Sequence, residues 1–303
     1  MNNRAITKAI VATTAAVLMA PASWAAVTPY SQNFEALAAG SATALSGVGF
    51  IVFGAAFDGN SGLVPPYGNF LFGYGPFPAP NGSGSFSTIA GGEGGLPQGL
   101  QYLNAFSDYN CCAGAGHNDP GPIFDYVESN VFIEQTIALA NIGQVWTLTF
   151  DAKLPGDTLG CEPATTSDCV AFIKTINPAA GFATTNLITF DAQTLTNTAW
   201  STHSLSISLA APALNGQLLQ FGFANTSKQF GNTGVYYDNI VFALAPDTDG
   251  DGIQDPIDNC RLTANPLQQD ANLDGYGNIC DADINNSGTV TTADFGLLRS
   301  VLG

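Results

Sequence analysis

The sequence predicts an all-β fold: an antiparallel β-sandwich, followed by a small acidic segment that ends in a short helix. Short runs of alternating apolar and polar residues, rich in β-branched and aromatic side chains, are typical of strands. Glycine and proline, 34 and 17 of 303 residues, favour turns. Aspartate is concentrated after residue 246, where the alternation stops. These observations separate a large β domain from a small acidic one.

The first 25 residues are typical of a secretory signal peptide. Two basic residues, Arg4 and Lys8, precede an apolar stretch from Ala9 to Ala20. Small residues at Ser23 and Ala25 then favour cleavage after Ala25. The alternative is a membrane anchor, but the apolar stretch is too short to cross a bilayer. We therefore expect a secreted protein, extracellular or at the cell surface, without a transmembrane segment.

The charge balance argues against nucleic acid as a partner. The chain has 7 Lys and Arg against 24 Asp and Glu, a formal net charge of −17. Nucleic-acid phosphates require basic contacts, which this composition does not supply. An acidic chain instead suits an extracellular protein or a protein that binds cations.

Seven segments between residues 26 and 245 have the strand period of two. In one of them, Trp146, Leu148 and Phe150 fall on one face and polar residues fall on the other. The segments are residues 131–139, 145–153, 169–176, 186–192, 203–209, 217–226 and 234–244. Many strands without a convincing helix predict a single antiparallel sandwich in this region.

The six cysteines of an exported chain predict disulfides. They are Cys111, Cys112, Cys161, Cys169, Cys260 and Cys280. Closeness in sequence favours one bridge within the middle pair and one within the last pair. The first two are adjacent, and either form a vicinal bridge or pair crosswise with the middle pair. A zinc site is the competing interpretation, but the spacings do not fit one and only His117 and His203 are available.

Two stretches rich in glycine, proline and asparagine, residues 59–85 and 107–126, are interpreted as long loops. The first carries Tyr67 and Tyr74 among its aromatic residues. Aromatic rings displayed on a loop can stack on sugar rings, so these two tyrosines are the candidate glycan-binding residues. The alternative is that the rings pack the loop onto the sheet.

The strand patterns YSQNFEAL, FIEQTIALANIGQVWTLTFDAK, TAWSTHSLSISL and GVYYDNIVFAL follow one another over residues 27–245. In this order they resemble the jelly-roll carbohydrate-binding modules of the galactose-binding-like type. The resemblance implies a two-sheet sandwich that binds a polysaccharide or cell-surface glycan. By position, it also implies that Glu35 and Asp238 hold one structural Ca²⁺ between the first and last strands. The alternative is that both are ordinary solvated carboxylates.

After an expected hinge at residues 243–249, aspartates come at alternate positions. Residues 247–303 contain ten aspartates and two arginines, a net charge of −8. Calcium takes about six to eight oxygen ligands and commonly needs a glycine where the chain turns sharply. Alternate spacing lets successive carboxylates converge on one ion, which also removes their mutual repulsion.

This spacing recurs further along, and residues 247–281 resemble a thrombospondin type 3 repeat. The candidate calcium ligands are Asp247, Asp249, Asp251, Asp255, Asp258, Asp270, Asn272, Asp274, Asn278 and Asp281. Asn272 and Asn278 stand where this family usually has aspartate, so we expect weaker calcium binding at the second loop. A disordered acidic tail is the alternative, but it does not explain the regular glycine and cysteine positions.

A third loop and a short amphipathic helix follow. The loop ligands expected from EF-hand spacing are Asp283, Asn285, Ser287, the Thr289 carbonyl, Thr291 and Asp294. Loop and helix resemble one half of a dockerin, which normally has two halves. This half either folds on the preceding repeat, belongs to a truncated chain, or pairs with another molecule. The resemblance implies a cohesin-like protein as an alternative partner.

The sequence therefore predicts a signal peptide at 1–25, a jelly-roll sandwich at 26–245, a thrombospondin type 3 repeat at 246–282 and a dockerin-like half at 283–303. The chain is therefore predicted to be a secreted calcium-binding protein with a role in carbohydrate binding or cell-surface adhesion. One alternative is a non-catalytic component docked through its tail.

A jelly-roll polysaccharide lyase or glycosidase is the other alternative. Glycoside hydrolysis would need a carboxylate pair, and Asp119, Asp125, Glu128 and Glu134 are close in sequence. No nucleophile elbow, phosphate loop or zinc motif accompanies them. We therefore expect no enzymatic activity.

Overall fold

The computed structural model describes residues 26–57, 70–82, 86–107, 126–156, 161, 167–228 and 233–302. The expected signal peptide and the roles expected of Tyr67, Cys111, Cys112, His117, Asp119 and Asp125 lie outside these ranges. Within them, two antiparallel sheets pack face to face, which confirms the predicted all-β sandwich.

The strands range from three residues in β1 to twelve in β12. Their bounds are β1 Tyr30–Gln32, β2 Ile51–Phe57, β3 Phe70–Pro78, β4 Ser87–Gly91, β5 Gln101–Ser107, β6 Tyr126–Thr136, β7 Val145–Lys153, β8 Ser167–Asn177, β9 Ala183–Asp191, β10 Ser201–Ser208, β11 Leu218–Lys228 and β12 Thr233–Leu244. The first sheet has the order β10-β7-β12-β5-β4, with β1 also paired to β12. The second has the order β3-β2-β6-β11-β8-β9. From β5 to β8 and from β9 to β12 the chain alternates between sheets, as in a jelly roll.

Helical structure is minor. Helix α1, Ala44–Gly47, precedes β2, and helix α2, Thr292–Leu302, closes the chain. Three-residue 3₁₀ turns connect some of the strands. No helix in the described ranges is long and apolar enough to span a bilayer.

The core lies between the two sheets and contains the residues that period two assigns to it. Trp146, Leu148 and Phe150 of β7 are buried and face the second sheet. Rings stack across the gap: the Phe223 centroid lies 3.6 Å from that of Tyr237. Each fully buried side chain of this size contributes about 1.5–3 kcal/mol relative to exposure. Burial between the sheets therefore holds the sandwich together.

The predicted disulfides are present. Cys161 bonds to Cys169, which lies on β8. Cys260 bonds to Cys280 in the acidic segment 247–303, here termed the tail. The structure does not show the free hinge that we expected at residues 243–249. Ala245 is buried and its N–H donates to the Val145 carbonyl at 2.9 Å, so the tail follows β12 directly.

The segment expected as a long loop, residues 59–85, contains strand β3, which pairs with β2 at the sheet edge. Glycine and proline conceal this strand in the sequence, because both are depleted in strand interiors. Here Gly73 and Gly75 lie in β3, where close neighbours leave no room for a side chain. Pro76 is accepted because an edge strand need not donate a hydrogen bond on its outer side.

Gly222 gives a direct test of the packing. It lies in the middle of β11, where an added Cβ would approach the Val131 carbonyl oxygen at 2.3 Å and the Phe132 Cα at 2.6 Å. We expect Gly222→Ala to lower the free energy of unfolding by about 1–3 kcal/mol, because backbone atoms must move. Gly47→Ala is the control, since nothing lies within 4 Å of its position. Equal denaturation midpoints for the two variants would contradict the described register.

Candidate functional site

Three aspartates converge in the first loop of the tail, residues 247–258. Asp247, Asp249 and Asp251 each place a carboxylate oxygen within 4.8 Å of the others. Asp247 shapes the loop by accepting hydrogen bonds from the N–H groups of Gly250 and Gly252, both at 2.9 Å. These glycines have φ values of 76° and 94°, which favour residues without a side chain. The arrangement is suited to a bound cation.

In this loop, two buried carboxylate oxygens lack a donor among the described residues: Oδ2 of Asp249 and Oδ2 of Asp258. Burial raises the pKa of Asp249, and repulsion from the neighbouring aspartates adds to this rise. A cation next to these oxygens would compensate both their lost hydration and the repulsion. The first loop therefore fits a divalent cation with a preference for oxygen, such as Ca²⁺.

The second loop, residues 270–281, repeats the hydrogen bonds of the first loop 23 positions later along the chain, so that Asp270 corresponds to Asp247. Asp270 accepts from the N–H groups of Leu273 at 2.7 Å and Gly275 at 2.9 Å, as Asp247 does from its two glycines. Asn272 stands in place of Asp249, and its side chain donates to Asp274 at 3.0 Å. The backbone frame is therefore shared, whereas the second loop offers fewer charged oxygens.

The remaining predicted ligands also keep the offset. Asn278 accepts from the Ala271 N–H at 2.8 Å, and Asp281 accepts from the Asp283 N–H at 2.7 Å. Asp255 is engaged differently from its neighbours. Its oxygens accept hydrogen bonds from the Thr248 side chain at 2.7 Å and from Arg261 at 3.3 Å. The Thr248 hydrogen bond is the main cause of its lowered pKa, so Asp255 is already stabilised as an anion.

The third loop, residues 283–294, closes around two buried carboxylates. Asp283 accepts from the N–H groups of Ser287 at 3.1 Å and Gly288 at 2.6 Å. Asp294 accepts from the Thr291 N–H at 2.7 Å, which lowers its pKa, and from the Asn285 N–H at 3.1 Å. The Ser287 hydroxyl donates to the Thr289 carbonyl oxygen at 3.1 Å. The expected loop ligands therefore lie on one closed ring of backbone.

A second group of carboxylates lies in the sandwich, around Asp238. Asp238 is fully buried on β12; its Oδ1 accepts from the Asn239 N–H at 2.7 Å, and its Oδ2 has no donor among the described residues. Burial raises the pKa of Asp238 to about 7, and repulsion from Asp151 and Glu35 contributes. A buried acid beside two others fits a cation at this position.

Asp151 is the partner that the sequence did not reveal. Its carboxylate accepts hydrogen bonds from Gln98 and Asn239 at 2.8 Å and from Thr202 at 2.5 Å. Burial alone would raise the pKa of Asp151, but these hydrogen bonds lower it below the usual value. Glu35 is exposed and accepts two backbone hydrogen bonds at 2.7 Å, from residues 100 and 101. The segment 92–100 thus binds two of the three carboxylates, Asp151 through Gln98 and Glu35 through the Leu100 N–H.

The outer face of the second sheet carries a further polar group, here termed the Lys174 cluster. It comprises Glu128, Asn130, Glu134, Lys174 and Gln220. Gln220 lies between Glu134 on β6 and Lys174 on β8 in the strand register. It donates to Glu134 at 2.6 Å, while Asn130 donates to Glu128 at 2.6 Å and accepts from Lys174 at 3.3 Å. Alternation in residues 128–134 was the available signal for this face.

Aromatic rings form the floor of the Lys174 cluster. The Lys174 ammonium lies 4.5 Å from the ring centroid of Phe172 and 5.8 Å from that of Phe132. Burial lowers the pKa of Lys174, and the negative charges of Glu128 and Glu134 oppose this effect. Both rings are buried, so the groups open to a ligand are the half-buried carboxylates and the ammonium.

Tyr74 does not lie on a displayed loop. Its ring packs against Gly54 and lies 5.8 Å from the Phe86 ring, and burial raises its pKa. This placement matches the alternative in which the loop aromatics pack onto the sheet. The Tyr74 ring is packed rather than displayed, so the structure does not support its expected role in glycan binding.

One protein-family model matches part of the chain. The model of the thrombospondin type 3 repeat matches residues 245–268, which include the first loop. Comparison with curated protein sequences finds no match.

Among solved structures, the chain is similar to several carbohydrate-binding modules. A study of promiscuous carbohydrate-binding modules of the β-sandwich superfamily provides one, 12% identical, covering 52% of each chain with a TM-score of 0.31. The CBM22-1 xylan-binding domain of Paenibacillus barcinonensis Xyn10C is 12% identical, covering 54% of this chain and 88% of that chain with a TM-score of 0.29.

A cyclase from Fischerella sp. TAU is also similar: 16% identical, covering 48% of this chain and 76% of that one, with a TM-score of 0.28. At this degree of similarity, none of these structures identifies a ligand for the chain. The chain carries a thrombospondin type 3 repeat at residues 245–268, behind an antiparallel β-sandwich.

Proposed function

We propose that this chain is a secreted calcium-binding protein whose sandwich binds a polysaccharide or cell-surface glycan, in recognition or adhesion. The observation that carries the calcium assignment is the pair of buried, donorless oxygens of Asp249 and Asp258 beside the aspartate group. Two disulfides support an extracellular location, because such bonds persist in oxidising compartments.

In this proposal, the first loop holds Ca²⁺ through Asp247, Asp249, Asp251 and Asp258. The second loop holds Ca²⁺ through the equivalents of these residues, each 23 positions later. The third loop holds Ca²⁺ through Asp283 and Asp294, together with the side-chain and carbonyl oxygens of the loop residues between them. The tail has little apolar core to replace these contacts. Leu262, Leu267 and Leu273 are each about four-fifths exposed or more. Its fold therefore depends on cations and on the Cys260–Cys280 bond.

A fourth ion would be held in the sandwich by Asp238 with Glu35, as the resemblance of the strand order implies. The donorless buried oxygen of Asp238 supports this assignment. Asp151 would act on the same ion indirectly, because Asn239 bonds both to its carboxylate and to the Pro97 carbonyl. Asp151 thereby positions segment 92–100 beside the site.

The Lys174 cluster is the proposed glycan site. The carboxylates and the ammonium on this sheet face can exchange charge-assisted hydrogen bonds with sugar hydroxyls. Strands β6, β11 and β8 pair without a register shift, so a chain-like ligand can extend across all three. The cluster carries both signs of charge, which suits a ligand with hydroxyl groups rather than a strongly charged one.

One observation favours a second function, docking of the chain through its tail. Helix α2 exposes Phe295, Leu297 and Leu298, of which Phe295 is 66% exposed. Exposed apolar side chains on one helix are typical of a protein-binding surface. Binding to a purified cohesin domain, without glycan binding by the sandwich, would favour this alternative.

Calcium removal tests the tail. With excess chelator, we expect protease cleavage near Asp247 and loss of hydrogen-exchange protection over residues 247–294, while the sandwich stays protected. Asp251→Ala and Asp274→Ala should each weaken one loop at millimolar Ca²⁺. A site saturated at about 100 times its dissociation constant contributes roughly 2.7 kcal/mol, which each variant loses. Asp191→Ala, outside the tail, is the control. Full tail protection in chelator would disprove the assignment.

The pH dependence of stability tests the sandwich site. In chelator, Asp238 is protonated in the folded state below its pKa of about 7, whereas an unfolded aspartate ionises near 3.8. Its contribution is therefore fully present below the unfolded value and is lost as pH rises towards 7. We expect Asp238→Asn to remove a loss of roughly 4 kcal/mol over this range, since one pKa unit corresponds to about 1.4 kcal/mol.

The measurement is chemical unfolding of the sandwich at pH 4, 5.5 and 7.5, with and without Ca²⁺. Added Ca²⁺ should restore stability at pH 7.5 in the wild type but not in Asp238→Asn. Parallel pH profiles for the two proteins in chelator would show that Asp238 ionises normally in the folded state.

Glycan binding is tested on an array of neutral and acidic polysaccharides. We expect replacement of both Glu128 and Glu134 by alanine to weaken binding about a hundredfold or more, since two bonds are lost and each lost bond to a charged group costs roughly 1.5–3 kcal/mol. Ser208→Ala, exposed on the first sheet, should bind normally. Tyr74→Ala should lower the melting temperature because its ring is packed between the sheets. Unchanged binding by the double variant would remove the Lys174 cluster from the site.

A further inference from the structure

Lys174 reaches past a neighbouring strand to an asparagine. Lys174 lies on β8 and Asn130 lies on β6, with β11 between these two strands. On the outer face of the sheet, β11 places Gly222 and Ala224 between β6 and β8, so no long side chain of β11 stands in the way at these positions. The Lys174 Nζ lies 3.3 Å from the Asn130 Oδ1. Strand pairing thus holds an amine against a side-chain amide 44 positions away in sequence.

The amine of Lys174 lacks the partner that a lysine on a sheet usually has. Among the described residues, the Asn130 Oδ1 is its one hydrogen-bond acceptor, and no carboxylate forms an ion pair with it. The rings of Phe132 and Phe172 lie beneath it. Burial lowers the pKa of Lys174. A desolvated lysine without a counter-ion gives up its proton more readily and becomes a nucleophile.

Glu128 contacts the other end of the same amide. The Asn130 Nδ2 donates to the Glu128 Oε1 at 2.6 Å, and Asn130 is only 3% exposed. The amide of Asn130 therefore has an amine at its oxygen and a carboxylate at its nitrogen. If the amine attacks the carbon between them, this nitrogen is the leaving group. A carboxylate in contact with it can carry a proton from the amine to the leaving nitrogen.

We propose that Lys174 and Asn130 react to form a covalent amide bond between β8 and β6. The neutral Nζ attacks the Asn130 Cγ, which lies one bond beyond the Oδ1. Glu128 takes a proton from Nζ and passes it to Nδ2. The bond between Cγ and Nδ2 then breaks, and ammonia leaves. One amine and one primary amide become one secondary amide and one ammonia, so the step needs no oxidant, reductant or cofactor. The fold supplies the proximity that such a reaction requires.

This inference does not rest on glycan binding, although it concerns residues of the Lys174 cluster. The new bond would remove the ammonium from the cluster and leave the carboxylates of Glu128 and Glu134, on which the glycan test acts. Strands β6 and β8 would be joined across β11. A link between residues 44 positions apart restricts the unfolded chain, so the bond would raise the stability of the second sheet.

Intact mass spectrometry of the purified, denatured full chain tests the proposal. After correction for the disulfides and for any removed leader, the wild-type mass should be lower than that of the sequence by one ammonia. A peptide map should contain one fragment in which residues 130 and 174 are linked. Lys174→Arg should show no loss, because a guanidinium stays protonated and does not attack. Lys153→Arg, a change at a buried lysine that is paired with Glu93, should still lose ammonia.

The two glutamates separate the bond from the glycan site. Glu128→Gln keeps the size of the side chain but cannot carry the proton, so it should retain its ammonia. Glu134→Gln removes a carboxylate of the glycan site but no reacting group, so the bond should still form. The mass is read without glycan, and failure of either proposal is therefore seen separately.

The wild-type measurement does not depend on the folding of any variant. A wild-type mass equal to that of the sequence would overturn the proposal. So would a loss of ammonia without the fragment that links residues 130 and 174, because a succinimide at an Asn-Gly pair releases ammonia as well. Retention of the bond in Glu128→Gln would overturn the role given to Glu128.

Discussion

Carboxylates held close together are the constraint on which this molecule depends. In the tail, the oxygens of three aspartates lie within 4.8 Å of each other, and in the sandwich Asp238 is buried near two other acids. Like charges at such distances oppose folding unless protons or cations compensate them. Burial raises the pKa of Asp249 and of Asp238, and repulsion from neighbouring acids adds to the rise at both places. The cations proposed above would compensate these charges through the carboxylate oxygens.

The two parts of the chain meet this constraint from different starting points. The sandwich already has a core, in which Phe150, Phe223 and Tyr237 pack between the sheets. The buried Asp238 lowers the stability of the sandwich, but the burial of the core side chains outweighs this effect. The tail has few buried apolar side chains, so the same repulsion affects its whole fold. Acidic residues therefore affect one site in the sandwich, whereas in the tail they affect the whole fold.

Much of this could be predicted from the sequence because the relevant information is local. Alternation predicts β7 and β11, and aspartate spacing predicts the first loop, which matches a repeat family at residues 245–268. Local spacing also predicts the two disulfides. In each case, residues that act together lie within about 20 positions of one another, so their chemistry is visible as a pattern.

The features that could not be predicted depend on strand pairing over long distances. Asp151 meets Asp238 only because β7 pairs with β12. Lys174 reaches Asn130 only because β11 places β6 and β8 on either side of itself. Strand β3 is concealed by glycine and proline and is recognised by its register with β2. These contacts are set by topology, which a pattern along one segment does not contain.

The direct junction between β12 and the tail has a mechanical consequence. The Ala245 N–H is bonded to the Val145 carbonyl, and the Asp255 N–H to the Pro246 carbonyl, so no slack linker separates the two parts. Strand β12 is flanked by β7 on one side and by β5 and β1 on the other. A pulling force on the tail would therefore load the hydrogen bonds of three neighbouring strands in shear, and the tail could bear tension between the sandwich and an anchored surface.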